Sequence, residues 1–273
     1  MDSQRSDAAV SRGNGSATDM RRILILGGTA EARRLAQRLA PRTDLAVTLS
    51  LAGRTGSPAA QAVPVRIGGF GGVQGLVDYL KRERIDALID ATHPYAARIS
   101  ANAACAAPRA AVPILAMRRP PWVAVAGDRW SEAADMEGAV RALGSAPRRV
   151  FVALGRNELR PLGGAPQHYY LVRSIDPVDP PLAVPFAHYI NARGPFDEAD
   201  ERALLIDNRI EIILAKNSGG SATYAKIAAA RALGVAVILI RRPLLPNVPA
   251  VETVDEALDW LDHALTVSAT RGV

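Results

Sequence analysis

Glycines, hydroxyls and cations recur in this chain directly after short apolar runs, the positions from which a parallel sheet presents groups to a ligand. The first such turn is Gly27-Gly28-Thr29-Ala30-Glu31, after the run RRILIL that ends at Leu26. Two glycines permit a tight turn and close backbone approach, and the helix that follows aims free N–H groups and its positive dipole end at an anion. The full G-x-G-x-x-G spacing is missing, so a phosphate site and simple strand-to-helix punctuation both stay open for Gly27, Gly28 and Thr29. After the second run comes Ser50-Leu51-Ala52-Gly53-Arg54-Thr55. In a dinucleotide fold that strand end meets the adenosine ribose, where an acid suits NAD and an arginine such as Arg54 suits the 2′-phosphate of NADP.

A third turn, Asp90-Ala91-Thr92-His93-Pro94-Tyr95, places a hydroxyl and an imidazole ahead of a proline suited to the first turn of a helix, so Thr92 or His93 is expected to cap it. A capping or core role competes with a catalytic one for His93. No His or carboxylate lies three or four residues beyond it, and His168, His188 and His263 stand apart, so no metal site is expected. In the second half, Lys216-Asn217-Ser218-Gly219-Gly220-Ser221 again follows a strand-like run, and its backbone N–H groups plus one cation could hold a carboxylate or phosphate. The lysine precedes the glycines, which excludes a Walker A loop, and no G-x-S-x-G elbow exists for serine hydrolysis. Gly155-Arg156-Asn157-Glu158, Arg173-Ser174-Ile175-Asp176-Pro177 and the loop Asn191-Ala192-Arg193-Gly194-Pro195-Phe196 add further cations.

These turns are ordered by alternating strands and helices. Arg21–Gly27 reads as a strand buried on both faces, and Ala32, Leu35, Ala36 and Leu39 then repeat at helical spacing. Strands at 45–51, 63–67, 85–90 and 112–117 alternate with helices near 73–80 and from Pro94. After Pro120-Pro121 a helix is expected near 132–143, then strands at 149–154, 169–174, 210–215 and 235–240 with helices near 198–208, 222–233 and 255–265. The alternation predicts parallel sheets with helices on both faces. Gly144–Pro147 looks like a linker, giving a disordered tail at 1–20, a first domain at 21–144 and a second at 145–273. The tail also reads as extra sequence ahead of a start at Met20. A weak internal repeat supports two related halves: RIDALID at 84–90 resembles RIEIILA at 209–215. Each is followed by a Tyr-Ala pair (95–96, 224–225), a basic-Ile pair (98–99, 226–227) and the tripeptide Arg-Arg-Pro (118–120, 241–243).

Composition bounds the function. The 273 residues are 49% hydrophobic and 22% charged, a globular balance, and Cys105 is the single cysteine, which excludes internal disulfides and thiolate clusters. No apolar stretch is long enough to span a membrane, and the first residues lack a secretory signal's apolar core, so a cytoplasmic protein with no membrane partner is expected. The net charge of +6 favours anionic partners, either nucleic acid or a small polyacid. Arginine pairs scattered along the chain and 5% aromatics supply neither a basic recognition helix nor a stacking platform, which argues against nucleic acid. A non-catalytic basic module that binds nucleotides or nucleic acid is the reading from another class.

Taken in series, Leu26–Ala32, Ser50–Thr55, Asp90–Ala96, Gly194–Phe196 and Lys216–Gly220 resemble the precorrin-6A reductase family of cobalamin biosynthesis, from about Arg22 to Leu261. The resemblance implies two Rossmann-like parallel-sheet α/β domains with the active site in the cleft between them, NADPH as cofactor, and a polycarboxylate tetrapyrrole as substrate, reduced by hydride transfer from precorrin-6A to precorrin-6B. An anaerobic-route counterpart acting on the cobalt-containing ring is the alternative. By position, Gly27, Gly28 and Thr29 would take the pyrophosphate region, Arg54 and Thr55 the 2′-phosphate, and Thr92 and His93 the nicotinamide side, with Ser50 also among the cofactor-binding residues. Lys216, Asn217, Ser218, Gly219 and Gly220 would face them from the other domain. Arg98, Arg156, Arg173, Ser174, Arg193 and Lys216 would grip the acid arms. The proton that accompanies the hydride is expected from His93, Lys216, Tyr95 or solvent. Transient contacts with neighbouring pathway enzymes count among the expected partners.

Overall fold

Strand β1 (Arg21–Leu26) shows how the chain builds its layers: Ile23 and Ile25 face one side of a sheet and Leu24 and Leu26 the other, all buried. A computed structural model of the chain describes residues 20–53 and 60–270. Arg54, Thr55 and nearly all of the expected tail lie outside the described residues. The first lobe continues with α1 (Ala30–Leu39), β2 (Leu45–Leu51), β3 (Val65–Ile67), α2 (Gly72–Arg82), β4 (Ala87–Asp90), α3 (Ala97–Arg109) and β5 (Ile114–Met117). Thr29 starts α1 by accepting the Ala32 N–H at 3.0 Å, and the stripe Ala32, Leu35, Ala36, Leu39 is buried against the sheet, as its spacing predicts.

The chain then crosses to a second lobe. This comprises β6 (Trp130–Ala133), α4 (Met136–Leu143), β7 (Arg149–Ala153), two short 3₁₀ turns at 156–164, β8 (Tyr169–Ser174), β9 (Ala187–Asn191), α5 (Glu198–Asp207), β10 (Ile212–Lys216), α6 (Ala225–Leu233) and β11 (Ala236–Ile240). Strand β12 (Ala250–Val251) and α7 (Val254–Thr270) finish the described chain. The sheets run β12-β5-β4-β1-β2-β3 and β6-β11-β10-β7-β8-β9, and every pairing is parallel.

The expected boundary at 144 is corrected by this order. Strand β6 joins the second sheet and α4 packs on its core through Ala139 and Leu143, while β12 and α7 return to the first, where Ala257 and Leu261 pack on its core. The linker-like Gly144 instead ends α4 with φ +80, and the crossings lie at 118–129 and 241–249. The expected helix at 132 starts at Met136, because Asp135 caps it by accepting the Gly138 N–H at 2.7 Å.

The internal repeat is physical as well as textual. Arg84 and Arg209 both hold a left-handed backbone, φ +50 and +51, closing the preceding helix as Ile85 and Ile210 donate to Leu80 and Leu205. Asp86 and Glu211 each accept a backbone N–H from the start of the neighbouring strand, Arg22 of β1 at 2.7 Å and Arg149 of β7 at 2.8 Å.

Candidate active site

The carboxyl ends of the two sheets meet. Tyr95, in the turn after β4, donates its hydroxyl to the Ile240 carbonyl at the end of β11 and accepts the Asn217 N–H at 2.9 Å. From the end of β5, Arg119 donates to the Ser218 carbonyl at 2.7 Å and to Glu31, in the first turn of α1, at 2.8 Å. Arg242, which follows β11, donates to the carbonyls of Asn217, Arg119 and Pro120 at 2.8, 2.9 and 3.1 Å. Both Arg-Arg-Pro repeats thus sit at the crossings and tie them together.

On the first-lobe rim, Gly28 has φ +122 and open space where a side chain would begin, so the backbone is bare beside the start of α1. Gly27 is pressed on Leu49, where an added Cβ would fall 2.5 Å from Cδ1. The Thr29 hydroxyl donates to the Ala91 carbonyl at 2.8 Å as well as capping α1, which fixes the turn and leaves its backbone to meet a ligand. A bare glycine at a helix start fits the pyrophosphate of a dinucleotide. Ser50 is buried and accepts from Arg66 at 3.3 Å. Arg66, absent from the sequence reading, also donates to the Gly68 and Gly69 carbonyls at 2.6 Å and stacks 3.8 Å from the Phe70 ring centroid. No acid pairs with Arg66 among the described residues, so a fixed cation stands at the carboxyl ends of β2 and β3.

Thr92 and His93 do not cap α3, which begins at Ala97 with Ala96 at the N-cap and no side-chain cap. Thr92 instead donates to buried Asp90 at 2.7 Å, because the acid lies two residues back on the strand end. His93 accepts the Tyr95 N–H at Nδ1 across 3.3 Å, placing the ring hydrogen on Nε2. Burial first, then the cations of Arg119, Lys216 and Arg242, push its pKa down to about 3, so the imidazole is neutral in the physiological range. That removes the imidazolium as a proton source. Tyr95 is similarly reassigned: burial raises its hydroxyl to about 12, and its donor and acceptor are both engaged in joining the lobes.

The second-lobe rim is a cavity of about 300 Å³ at the ends of β7, β8, β9 and β10. Arg156, Arg173, Ser174 and Lys216 line it together with Asp176, Phe196, Ser218 and Lys226. Arg193 is exposed beside it, whereas Arg98 is exposed on α3 of the other lobe and is not among its lining residues. Lys216 is paired with Glu158 and sits 4.8 Å from the Tyr95 ring centroid. Arg173 is buried, paired with Glu201 and stacked 3.7 Å from the Phe196 centroid. Much of its charge is therefore met from within. The Ser174 hydroxyl donates to the Asp176 carbonyl at 2.6 Å.

The glycine turn after β10 serves the lobe junction. Asn217 is buried with its side-chain oxygen on the Trp122 N–H at 2.7 Å and its amide nitrogen on the Trp122 carbonyl at 2.9 Å, and Gly220 accepts from the Trp122 indole at 2.8 Å. A Cβ on Gly219 would fall 2.1 Å from the Pro120 oxygen. Packing against the crossing thus occupies the Asn217 side chain expected to hold substrate, while Lys216 and Ser218 reach the cavity. Glu158, Glu201, Trp122 and Lys226 were missed as site residues, although Lys226 had surfaced in the repeat.

A sequence model of the precorrin-6x reductase CbiJ/CobK family matches residues 22–262. The chain belongs to this family. Precorrin-6A reductase of Sinorhizobium sp is 55% identical over 250 residues, covering 92% of this chain and 96% of its own length. The Rhodobacter capsulatus precorrin-6A reductase is 51% identical, covering 93% of this chain and 100% of its own. Cobalt-precorrin-6A reductase of Priestia megaterium is 28% identical, covering 91% and 99%. A solved structure described as CobK precorrin-6A reductase has a TM-score of 0.86 at 49% identity, covering 90% of this chain and 97% of that one. Membership makes the chain a reductase, and its Rossmann-like lobes suit a nicotinamide cofactor. No helix among the described residues is long and apolar enough to cross a membrane.

Proposed function

We propose that the protein reduces precorrin-6A to precorrin-6B with NADPH in the cytoplasm, holding the dinucleotide on the first-lobe rim and the acid-fringed ring on the second. The observation that carries this reading is the meeting of the two rims at Tyr95 and Asn217, with a bare glycine turn on one side and a cation-lined cavity on the other. NADPH would supply a hydride. Gly27, Gly28 and Thr29 would hold its pyrophosphate, and Ser50, Arg54, Thr55 and Arg66 its 2′-phosphate end. Thr92 and neutral His93, whose Nε2–H is a donor, would orient the nicotinamide. Arg156, Arg173, Arg193, Lys216 and Ser218 would position the substrate's arms. Lys216, which lines the cavity beside Glu158, would pass a proton toward the ring; solvent is the other source. The cobalt-free ring is favoured because the relatives at 43–55% identity are named for precorrin-6A and those at 26–28% for the cobalt form.

Anaerobic mixing of protein, NADPH and precorrin-6A should give a substrate-dependent loss of 340 nm absorbance, and its absence rejects the reading. Turnover of only the cobalt-loaded ring would reassign the substrate. Arg54→Ala and Arg66→Ala should each raise KM for NADPH far more than for NADH; equal changes mean that neither residue meets the 2′-phosphate. Steep, salt-dependent retention of duplex DNA or RNA on a filter, without reductase activity, would favour the nucleic-acid module instead.

A further inference from the structure

The wall of the second-lobe cavity holds a chargeable group that the reading above does not use. Lys226, the second residue of α6, lines the cavity with 4% of its surface exposed. Its Nζ donates to the Thr223 carbonyl at 2.6 Å and lies 4.9 Å from the Trp122 ring centroid. Neither contact neutralises a full charge. Glu201 on α5 faces it, but the two terminal guanidinium nitrogens of Arg173 on β8 already clasp that carboxylate. The other charged groups of the cavity are Arg156, Asp176 and the paired Lys216 and Glu158, all on strand-end turns or strand ends. A buried ammonium without its own counter-ion is costly, and the cost falls either when the proton leaves or when an anion arrives. At about 300 Å³ the cavity is at the small end for enclosing even a drug-sized ligand, so it admits an arm of a macrocycle and not the whole ring.

We propose that Lys226 seats one carboxylate arm of the substrate, and that seating this arm draws a proton from solvent onto Nζ. This deepens the substrate reading above and rests on it. In the free protein, burial first and then the Arg173 cation lower the Lys226 pKa to about 7, with Glu201 opposing. An adjacent carboxylate favours the ammonium, so the pKa rises in the complex. The balance is one proton gained by Nζ and none by the arm, which is ionised above a pKa of about 4.3. Because the complex holds more protons than the free partners, affinity falls as pH rises above about 7, and it levels off below that.

The test is anaerobic calorimetry at pH 8, titrating precorrin-6A into protein saturated with NADP⁺, in two buffers of different ionisation heat. Wild type should take up about one proton per bound substrate. Uptake should vanish in Lys226→Met, with binding at pH 7 weakened about tenfold or more by loss of a charge-assisted contact. Lys226→Arg, which stays charged, should bind without uptake. Zero uptake by wild type, or undiminished uptake in either variant, overturns the proposal. Should Lys226→Met fail to fold by circular dichroism, wild type and Lys226→Arg decide it. If wild-type protein binds no precorrin-6A at all, the substrate reading itself falls and takes this one with it.

Discussion

The two lobes share strand grammar, helix endings and even matching acid caps at Asp86 and Glu211, yet their rims are furnished differently. The first rim presents a bare glycine, hydroxyls bound to their own backbone or to Asp90, and an imidazole held neutral. The second gathers Arg156, Arg173, Lys216 and Lys226 with Glu158, Asp176 and Glu201 around one cavity. A duplicated scaffold therefore fixes where ligands can sit, while the strand-end turns decide their chemistry. Arg98 and Lys226 make the point: both belong to a basic-Ile pair of the repeat, but one is exposed on its helix and the other is buried at a cavity.

Substitutions at paired positions can break this comparison. The largest effect is expected from Gly219→Ala, whose Cβ would meet the Pro120 carbonyl at 2.1 Å on a φ +66 backbone. Urea denaturation should show a loss of about 3 kcal/mol. Gly28→Ala has open space around it and should cost only about 1–2 kcal/mol in backbone strain, with its main effect on KM for NADPH. Comparable losses would mean that both glycines serve packing.

Next comes the tyrosine pair. Tyr95→Phe strands the Asn217 N–H and the Ile240 carbonyl at the junction and should destabilise by about 1–3 kcal/mol. Tyr224→Phe gives up only a contact with Arg231, which keeps Asp128, and should cost about 0.5 kcal/mol by the same denaturation. Equal values would remove the special role of Tyr95.

The pH dependence separates the rims further. The folded-state pKa of His93 is depressed to about 3 against 6.5, so below pH 6.5 the unfolded chain binds a proton that the native state refuses. Stability contributed by neutral His93 is present above pH 6.5 and lost as pH falls toward 3. His93→Gln should flatten the melting temperature between pH 7 and 5 relative to wild type. Lys226 acts in a higher window: the unfolded chain holds more protons between about 7 and 10.5, so its burial penalises the fold less as pH rises there. Thr29→Ala removes the α1 cap and should cost about 1 kcal/mol in the same denaturation assay, between the two tyrosine substitutions.

Much of the fold was legible because each central strand is a continuous apolar run; β8 falls on Tyr169–Ser174 as expected. The strands that escaped, β6, β9 and β12, read WSEA, AHYIN and AV, with no apolar run to mark them. Their placement depends on pairing with distant strands, which local pattern does not encode. At the site, cations and glycine turns stood out by type and position. Their partners did not: Glu201 lies 28 residues from Arg173 and Glu158 58 from Lys216. Lys226 resembles any solvated helix base in sequence, but the packing of α6 against α5 and of Lys226 against Trp122 buries it.

The exchange of β6 and β12 bears on how the chain can be divided. A cut at 144 would leave the N-terminal fragment owning β6 and α4, which dock on the other sheet, and the C-terminal fragment owning β12 and α7, which dock on the first. Each piece alone would lack its own outer layer and carry its neighbour's. Fragments co-expressed from that nick should reassemble as a pair held by these reciprocal arms, whereas either one made singly should be captured by chaperones or proteases.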